Sequence, residues 1–172
     1  MGVKFHVAGL YVDYRQEKII LQSLIITENR LSVYLHRTWD DLDFGSMIKT
    51  VNSCRVLKKL KRIYYDKYAL SSKICKKLDY RFRPITMNHH KRCDMIETVK
   101  FWVPLITCKR DLPFYDQRHF LYPCKNSQGD VTCYPISDIF MGNVEAFCLA
   151  LYGSKKIISK YTKTNNVPVK EN

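Results

Sequence analysis

Between Ile19 and His36 two strand-length runs are split by three polar residues. Ile19 to Thr27 is mostly apolar, Glu28-Asn29-Arg30 interrupts it, and Leu31, Val33 and Leu35 then alternate with polar or aromatic partners. Runs of this kind around a short polar turn read as a β-hairpin. Upstream, Val3, Phe5 and Val7 alternate with Lys4 and His6, and β-rich residues continue from Leu10 to Tyr14. The chain therefore opens in strands. No regular alternation of strand and helix follows, which argues for an α+β fold with a mainly antiparallel sheet.

After His36 the period changes. Thr38 with Asp41 three residues on resembles a capping box. Phe44, Met47, Ile48 and Val51 then recur at helical spacing. At 100° per residue Val56, Leu57, Leu60, Ile63, Tyr64 and Tyr68 share one arc, and Arg55, Lys58, Lys59 and Arg62 lie opposite, as in a basic amphipathic helix. Leu70, Ile74 and Leu78 extend the pattern. Strands resume at Tyr80 and Phe82, with Pro84 confining that strand to an edge or an early end. Val99, Phe101, Val103 and Leu105 alternate before a loop-like stretch from Lys109 to Gln128, and Val131 to Tyr134 is a further short strand. Ser137 caps a last helix whose apolar face includes Val144, Phe147, Cys148 and Leu151, with Gly153 as its stop. Lys155 to Tyr161 reads as a final strand. A chain of 172 residues suits one domain. Residues 1–161 form that domain, with a central basic helix and a C-terminal helix packed on the sheet. Residues 162–172 are a loose polar tail.

Charge is concentrated. From Ser53 to Arg83 there are eleven Lys and Arg against Asp66 and Asp79, a net +9 of the chain's +13. A solvated helix face ordinarily mixes Glu with Lys, whereas Arg55 to Lys77 contains one acid. Arg55, Lys58, Lys59, Lys61, Arg62, Lys67, Lys73, Lys76 and Lys77 are the candidate polyanion contacts, to an anionic membrane or to phosphates. Tyr64, Tyr65 and Tyr68 suit stacking on bases or a lipid interface; the plainer reading of Tyr64 and Tyr68 is that they complete the core.

Other chemistry is thin. No phosphate-binding glycine loop, G-x-S-x-G or H-E-x-x-H occurs. Asp40, Asp41 and Asp43 form an acidic cluster that a metal-dependent nuclease could use, though acids there also cap a helix. His89, His90, Cys93 and Cys108 could ligate zinc, but the paired C-x2-C knuckle is missing. Seven cysteines, odd in number and irregular in spacing, read as free thiols in a reducing compartment. No cofactor is expected. The start of the chain has no signal-peptide pattern, and His6 stands where an N-myristoylation motif wants Ser or Thr. No apolar run reaches the roughly 18 residues of a membrane span.

The stretch ISDIFMGNVEAFCLALYGSKKIISKY (Ile136 to Tyr161) carries a family resemblance. Ser-Asp before an aromatic, a helix with Ala146 and Leu151, the Lys155-Lys156 pair and a closing strand resemble the C-terminal end of rhabdovirus matrix proteins. Size, basic charge and the order of strands and helices are similar too, and the layout looks closest to the plant cytorhabdoviruses. The proline-rich late-budding motifs of animal members are absent. The resemblance implies a non-enzymatic structural protein of the virion that self-associates and bridges the viral nucleocapsid to an anionic membrane during assembly and budding. It implies a viral ribonucleoprotein or RNA, an anionic membrane surface and further copies of itself as partners. It places the chain in the virion, the host cytoplasm and the cytoplasmic face of host membranes. The alternative is an RNA-binding viral accessory protein, a movement protein or silencing suppressor. A small metal-dependent nuclease centred on Asp40, Asp41 and Asp43 is a third reading.

Overall fold

The computed structural model describes residues 5–28, 30–88, 90–91, 94–95, 98, 102, 106–108, 124–125, 131–132 and 142–161. The chain opens with β1 (Phe5–Asp13), β2 (Lys18–Thr27) and β3 (Arg30–Trp39), a meander of antiparallel pairs. The hairpin expected from Ile19 to His36 is β2–β3. Its register slips between Ser23 and Leu24. Below the slip Leu24 and Ile26 pack with Leu31 and Val33 on one face; above it Ile19 and Leu21 face the other side together with Leu35.

The helix over Phe44 to Val51 forms as α1 (Phe44–Ser53) and buries Met47 and Val51. Its cap is Asp43, whose Oδ1 accepts the Ser46 N–H at 2.8 Å, and not the Thr38–Asp41 pair. Asp41 and Leu42 instead form the bend before it, with φ of 54° and 51°.

The central basic helix does not form. Leu57–Lys59 is a 3-10 turn, and β4 (Arg62–Asp66) follows at once. Ile63, Tyr64 and Tyr65 are all buried, with Tyr64 on one face of the sheet and its two neighbours on the other. A strand covered on both faces places apolar residues consecutively, and a short run of that kind mimics a helical arc. A second 3-10 turn (Lys67–Ala69), the one-turn helix α2 (Ser72–Cys75) and edge strand β5 (Phe82–Ile85), which contains Pro84, complete this part.

Strand order is β5-β4-β1-β2-β3-β6, where β6 is Ile106–Cys108. β4 runs parallel to β1, β5 parallel to β4 and β6 parallel to β3. The fold is α+β, but its sheet is mixed and not mainly antiparallel. To reach β1's free edge from β3 the chain crosses two strands, and α1 covers that crossing, as a parallel connection requires. A separate two-stranded pair, β7 (Cys124–Lys125) and β8 (Val131–Thr132), is also described.

The sheet has a core on each face. α1 lies on one. The helix α3 (Gly142–Gly153) lies on the other and is buried continuously from Gly142 to Leu151. Lys155 to Tyr161, expected as a strand, is α4 (Lys155–Tyr161), with Ile158 buried. The expected Ser137 cap and the 162–172 tail lie outside the described residues, as does nearly all of the strand expected from Val99 to Leu105.

Candidate functional site

β1 and β4 run side by side in register, Gly9 opposite Tyr64 and Leu10 opposite Tyr65. Their carboxyl ends therefore emerge at the same edge of the sheet. Asp66 closes β4 there, on the same face as Tyr64, the face that α3 covers. α3 lies unusually close to β1. A Cβ built on Gly9 would stand 1.7 Å from the Ala146 carbonyl oxygen. That contact sets the preceding residue, Glu145, over the end of β1. Glu145 is only 8% exposed.

One cavity of about 220 Å³ gathers these groups, with Tyr11, Asp66 and Glu145 on its wall among Leu10, Val12 and Leu149. Tyr14 and Tyr68, 56% and 72% exposed, form part of its rim. The Tyr14 hydroxyl donates to the Ala69 carbonyl, which ties the turn after β1 to the turn after β4. Asp66 Oδ1 accepts the Tyr68 N–H at 3.0 Å, fixing the carboxylate at the strand end. Asp13, one pleat beyond Tyr11, is occupied by its own turn: its Oδ1 accepts the N–H groups of Arg15 and Gln16 at 2.9 and 3.0 Å.

Carboxylate oxygens are the donors that Mg²⁺ and Mn²⁺ prefer, and Mg²⁺ is commonly held by one or two carboxylates with waters and substrate phosphates. A buried carboxylate in a partly apolar wall also favours a neighbouring cation. Asp66 and Glu145, which line the same cavity, are donors of the type such a cation takes. Among the described residues no group of three or more His, Cys, Asp and Glu could hold a metal ion.

The acidic cluster singled out in the sequence is elsewhere. Asp40 lies 4.0 Å from Lys18 Nζ, Asp41 is in the bend, and Asp43 caps α1 on the opposite face of the sheet from the cavity. Hydrogen bonds from Ser46 hold the Asp43 carboxyl below the ordinary range. These acids shape a turn and a helix start. The His89 and Cys93 part of the proposed zinc set lies outside the described residues. Tyr64 and Tyr65 are buried in the two cores, which leaves Tyr68 as the exposed member of that trio.

The nine basic residues are all exposed but do not form one surface. Arg55, Lys58, Lys59, Lys61 and Arg62 sit at the amino-terminal edge of β1 and β4, where the Lys61 N–H donates to the His6 carbonyl at 2.8 Å. Lys67 follows Asp66 at the carboxyl end of β4, beside the cavity, whereas Lys73, Lys76 and Lys77 lie on or after α2, whose Ile74 and Cys75 pack into the core on the α1 face. A buried strut holds the first group in place. Arg81 reaches Asp79, the Asn52 Oδ1 at 2.6 Å and the Leu57 carbonyl at 3.2 Å.

Sequence reasoning missed Asp66 and Glu145. The available signals were an acid ending a strand and a lone acid inside an otherwise apolar helix. Reading Asp66 into a basic helix hid the first.

No protein-family model matches the sequence, and no curated protein matches it. Solved structures do match in fold. The large terminase nuclease of thermophilic phage G20c, solved with bound cobalt, has a TM-score of 0.62 over 86% of this chain and 81% of its own, at 10% identity. The large terminase nuclease domain of bacteriophage SPP1, solved with bound Mn, gives 0.60 over 89% and 86%, at 12% identity. The bacteriophage HK97 large terminase gives 0.63 over 88% of this chain and 40% of its own, at 10% identity. The shared architecture is RNase H-like.

This fold overturns the resemblance to rhabdovirus matrix proteins. The matrix role, the RNA-binding accessory role and the expectation of a non-enzymatic protein fall with it, because the neighbours are nucleases. So do the expected partners, a viral ribonucleoprotein or RNA and an anionic membrane. Placement in the virion and at host membranes loses its basis for the same reason. No helix among the described residues is long and apolar enough to cross a membrane.

Proposed function

We propose that this chain is a divalent-cation-dependent nuclease acting on DNA, of the kind that serves viral DNA packaging, with its active site in the cavity at the carboxyl edge of β1 and β4. The observation that carries the reading is the convergence of Asp66 and Glu145, from a strand end and a buried helix, on one cavity in a terminase-nuclease fold. A cation bound there supplies Lewis-acid polarisation of a phosphodiester oxygen.

The chain's own groups do the rest. Asp66 and Glu145 would hold the cation, and the strand end and buried helix that carry them fix where those carboxylates lie. Tyr14 and Tyr68 at the rim offer faces on which bases stack. Lys67 beside Asp66 draws the phosphate backbone to the mouth, while Lys73, Lys76 and Lys77 and, at the opposite edge, Arg55, Lys58, Lys59, Lys61 and Arg62 contact more distant phosphates. Cleavage of duplex DNA in Mg²⁺ or Mn²⁺, abolished by a chelator, tests the reading. DNA left intact with either ion would sink it.

A further inference from the structure

The edge of the sheet away from the cavity combines charge with exposed rings. The segment from Lys58 to Arg62 is fastened on both sides there. The Lys61 N–H donates to the His6 carbonyl at 2.8 Å, and the Ile63 N–H donates to the Arg81 carbonyl at 2.8 Å. The segment therefore runs between the start of β1 and the turn before β5. Lys58, Lys59, Lys61 and Arg62 are exposed along it.

An aromatic ring stands on each side of these cations. On the β5 side Tyr80 is 81% exposed. Its neighbours in the chain are held to each other, Arg81 Nη2 lying 2.5 Å from Asp79 Oδ2, and Arg81 turns inward to Asn52 and Leu57. The acid beside Tyr80 is thus neutralised within the protein, and the ring is left at the surface on a fixed turn. On the β1 side the His6 and Tyr34 rings meet edge to face with centroids 5.5 Å apart, and Tyr34 is 44% exposed. Lys59 is close enough to His6 to help lower its pKa. From β5 to β3, which carries Tyr34, is four strand spacings, about 19 Å. Cations for the phosphates with ring faces for the bases are what an unpaired strand requires. A duplex would meet the cations but keep its bases stacked on one another, leaving both tyrosines idle.

We infer that this edge holds an unpaired DNA strand, with its phosphates on Lys58, Lys59, Lys61 and Arg62 and its bases stacked on Tyr80 and Tyr34. This rests on the reading of the chain as a protein that acts on DNA. It adds to the cavity a separate surface that grips a strand without cutting it.

The test is fluorescence anisotropy of a labelled, unstructured oligodeoxynucleotide of about 12 residues, against a duplex of the same length. EDTA is present throughout, so that no cleavage runs. The single strand is expected to bind more tightly than the duplex. Tyr80→Ala and Tyr34→Ala should each weaken strand binding at least about fivefold, and Tyr80→Phe, which keeps the ring, should not. The tyrosine variants should leave the salt slope of strand binding unchanged. Changing Lys58, Lys59 and Lys61 together to Gln should reduce that slope by about 2, at roughly 0.7 per phosphate contact. A strand bound no more tightly than the duplex would overturn the inference, as would wild-type strand affinity in either alanine variant. Should Tyr34→Ala fail to fold, Tyr80→Ala decides, since its ring lies almost wholly outside the core. Parallel cleavage assays in Mg²⁺ or Mn²⁺ separate the two claims. Tyrosine-dependent strand binding by a protein that leaves DNA intact would overturn the nuclease reading alone. Active cleavage by a protein whose strand affinity ignores the tyrosines would overturn the strand-holding inference alone.

Discussion

Gly9 and Ala146 are in backbone contact: the helix carbonyl passes 1.7 Å from where a β-carbon on Gly9 would stand. Side chains can yield to a new methyl group, but two backbones locked in a sheet and a buried helix cannot. This contact brings Glu145 to the end of β1 beside Tyr11 and opposite Asp66. Gly9→Ala must push α3 off the sheet. Overpacking of a core typically costs about 1–3 kcal/mol, and this substitution is expected at the top of that range or beyond it. Denaturant unfolding checks it, and cleavage should fall with the displaced carboxylate. Ala8→Gly, on the other face, is the control that leaves α3 in place.

Arg81 is expected to be the basic residue most costly to remove for stability. It is 8% exposed and hydrogen-bonds to Asp79, Asn52 and Leu57. Replacing it with Met leaves those acceptors without their donor, a loss of about 2–4 kcal/mol by urea unfolding. Lys58→Met and Lys76→Met, on exposed side chains, should change stability by less than about 0.5 kcal/mol.

Stability should fall as pH drops from 6.5 towards 4. Burial, with a smaller contribution from nearby Lys59, lowers the His6 pKa from 6.5 to about 4. Its Nε2 lies 3.1 Å from the Ser23 hydroxyl. Below 6.5 the unfolded chain takes up a proton that the folded chain refuses, so the folded state loses ground until its own pKa is reached. The full shift corresponds to about 3 kcal/mol, and solvent around the partly exposed ring reduces that to about 1–2 kcal/mol. His36 is shifted downward as well, mainly by burial, and adds to the slope. Thermal melts of His6→Gln across this range should show a shallower decline than the wild type.

The two basic groups should behave differently on DNA. Converting Lys67, Lys73, Lys76 and Lys77 to Gln is expected to reduce the salt slope of DNA binding by about 3.6, at roughly 0.9 per phosphate contact. The matching set at Arg55, Lys58, Lys59, Lys61 and Arg62 should lower it less, because those residues project from the edge away from the cavity. Binding measured across salt concentrations gives both slopes.

Much of the fold was legible in the sequence. The β2–β3 hairpin and α1 were marked by clean periods, and so was the apolar character of α3. What escaped was long-range. Nothing local to Arg62–Asp66 says that it pairs in parallel with β1, because that pairing depends on a crossover of more than forty residues. Once Ile63, Tyr64 and Tyr65 are taken as a helical arc, Asp66 becomes a stray acid in a basic helix. Placed instead at a strand end, it lines the same cavity as Glu145. Asp40, Asp41 and Asp43 drew attention because they are adjacent in sequence, while Asp66 and Glu145 meet only through the fold. The charge excess between Ser53 and Arg83 was real, but the strand running through it divides it between two edges of the sheet.

The most direct test of the account is cleavage of duplex DNA in Mg²⁺ and in Mn²⁺ by the wild-type chain, Asp66→Asn and Glu145→Gln, with folding of each verified by circular dichroism. The account predicts cation-dependent cleavage by the wild type and a loss of at least about 100-fold in each variant. Cleavage that persists undiminished in both folded variants would contradict the assignment of this cavity as the active site.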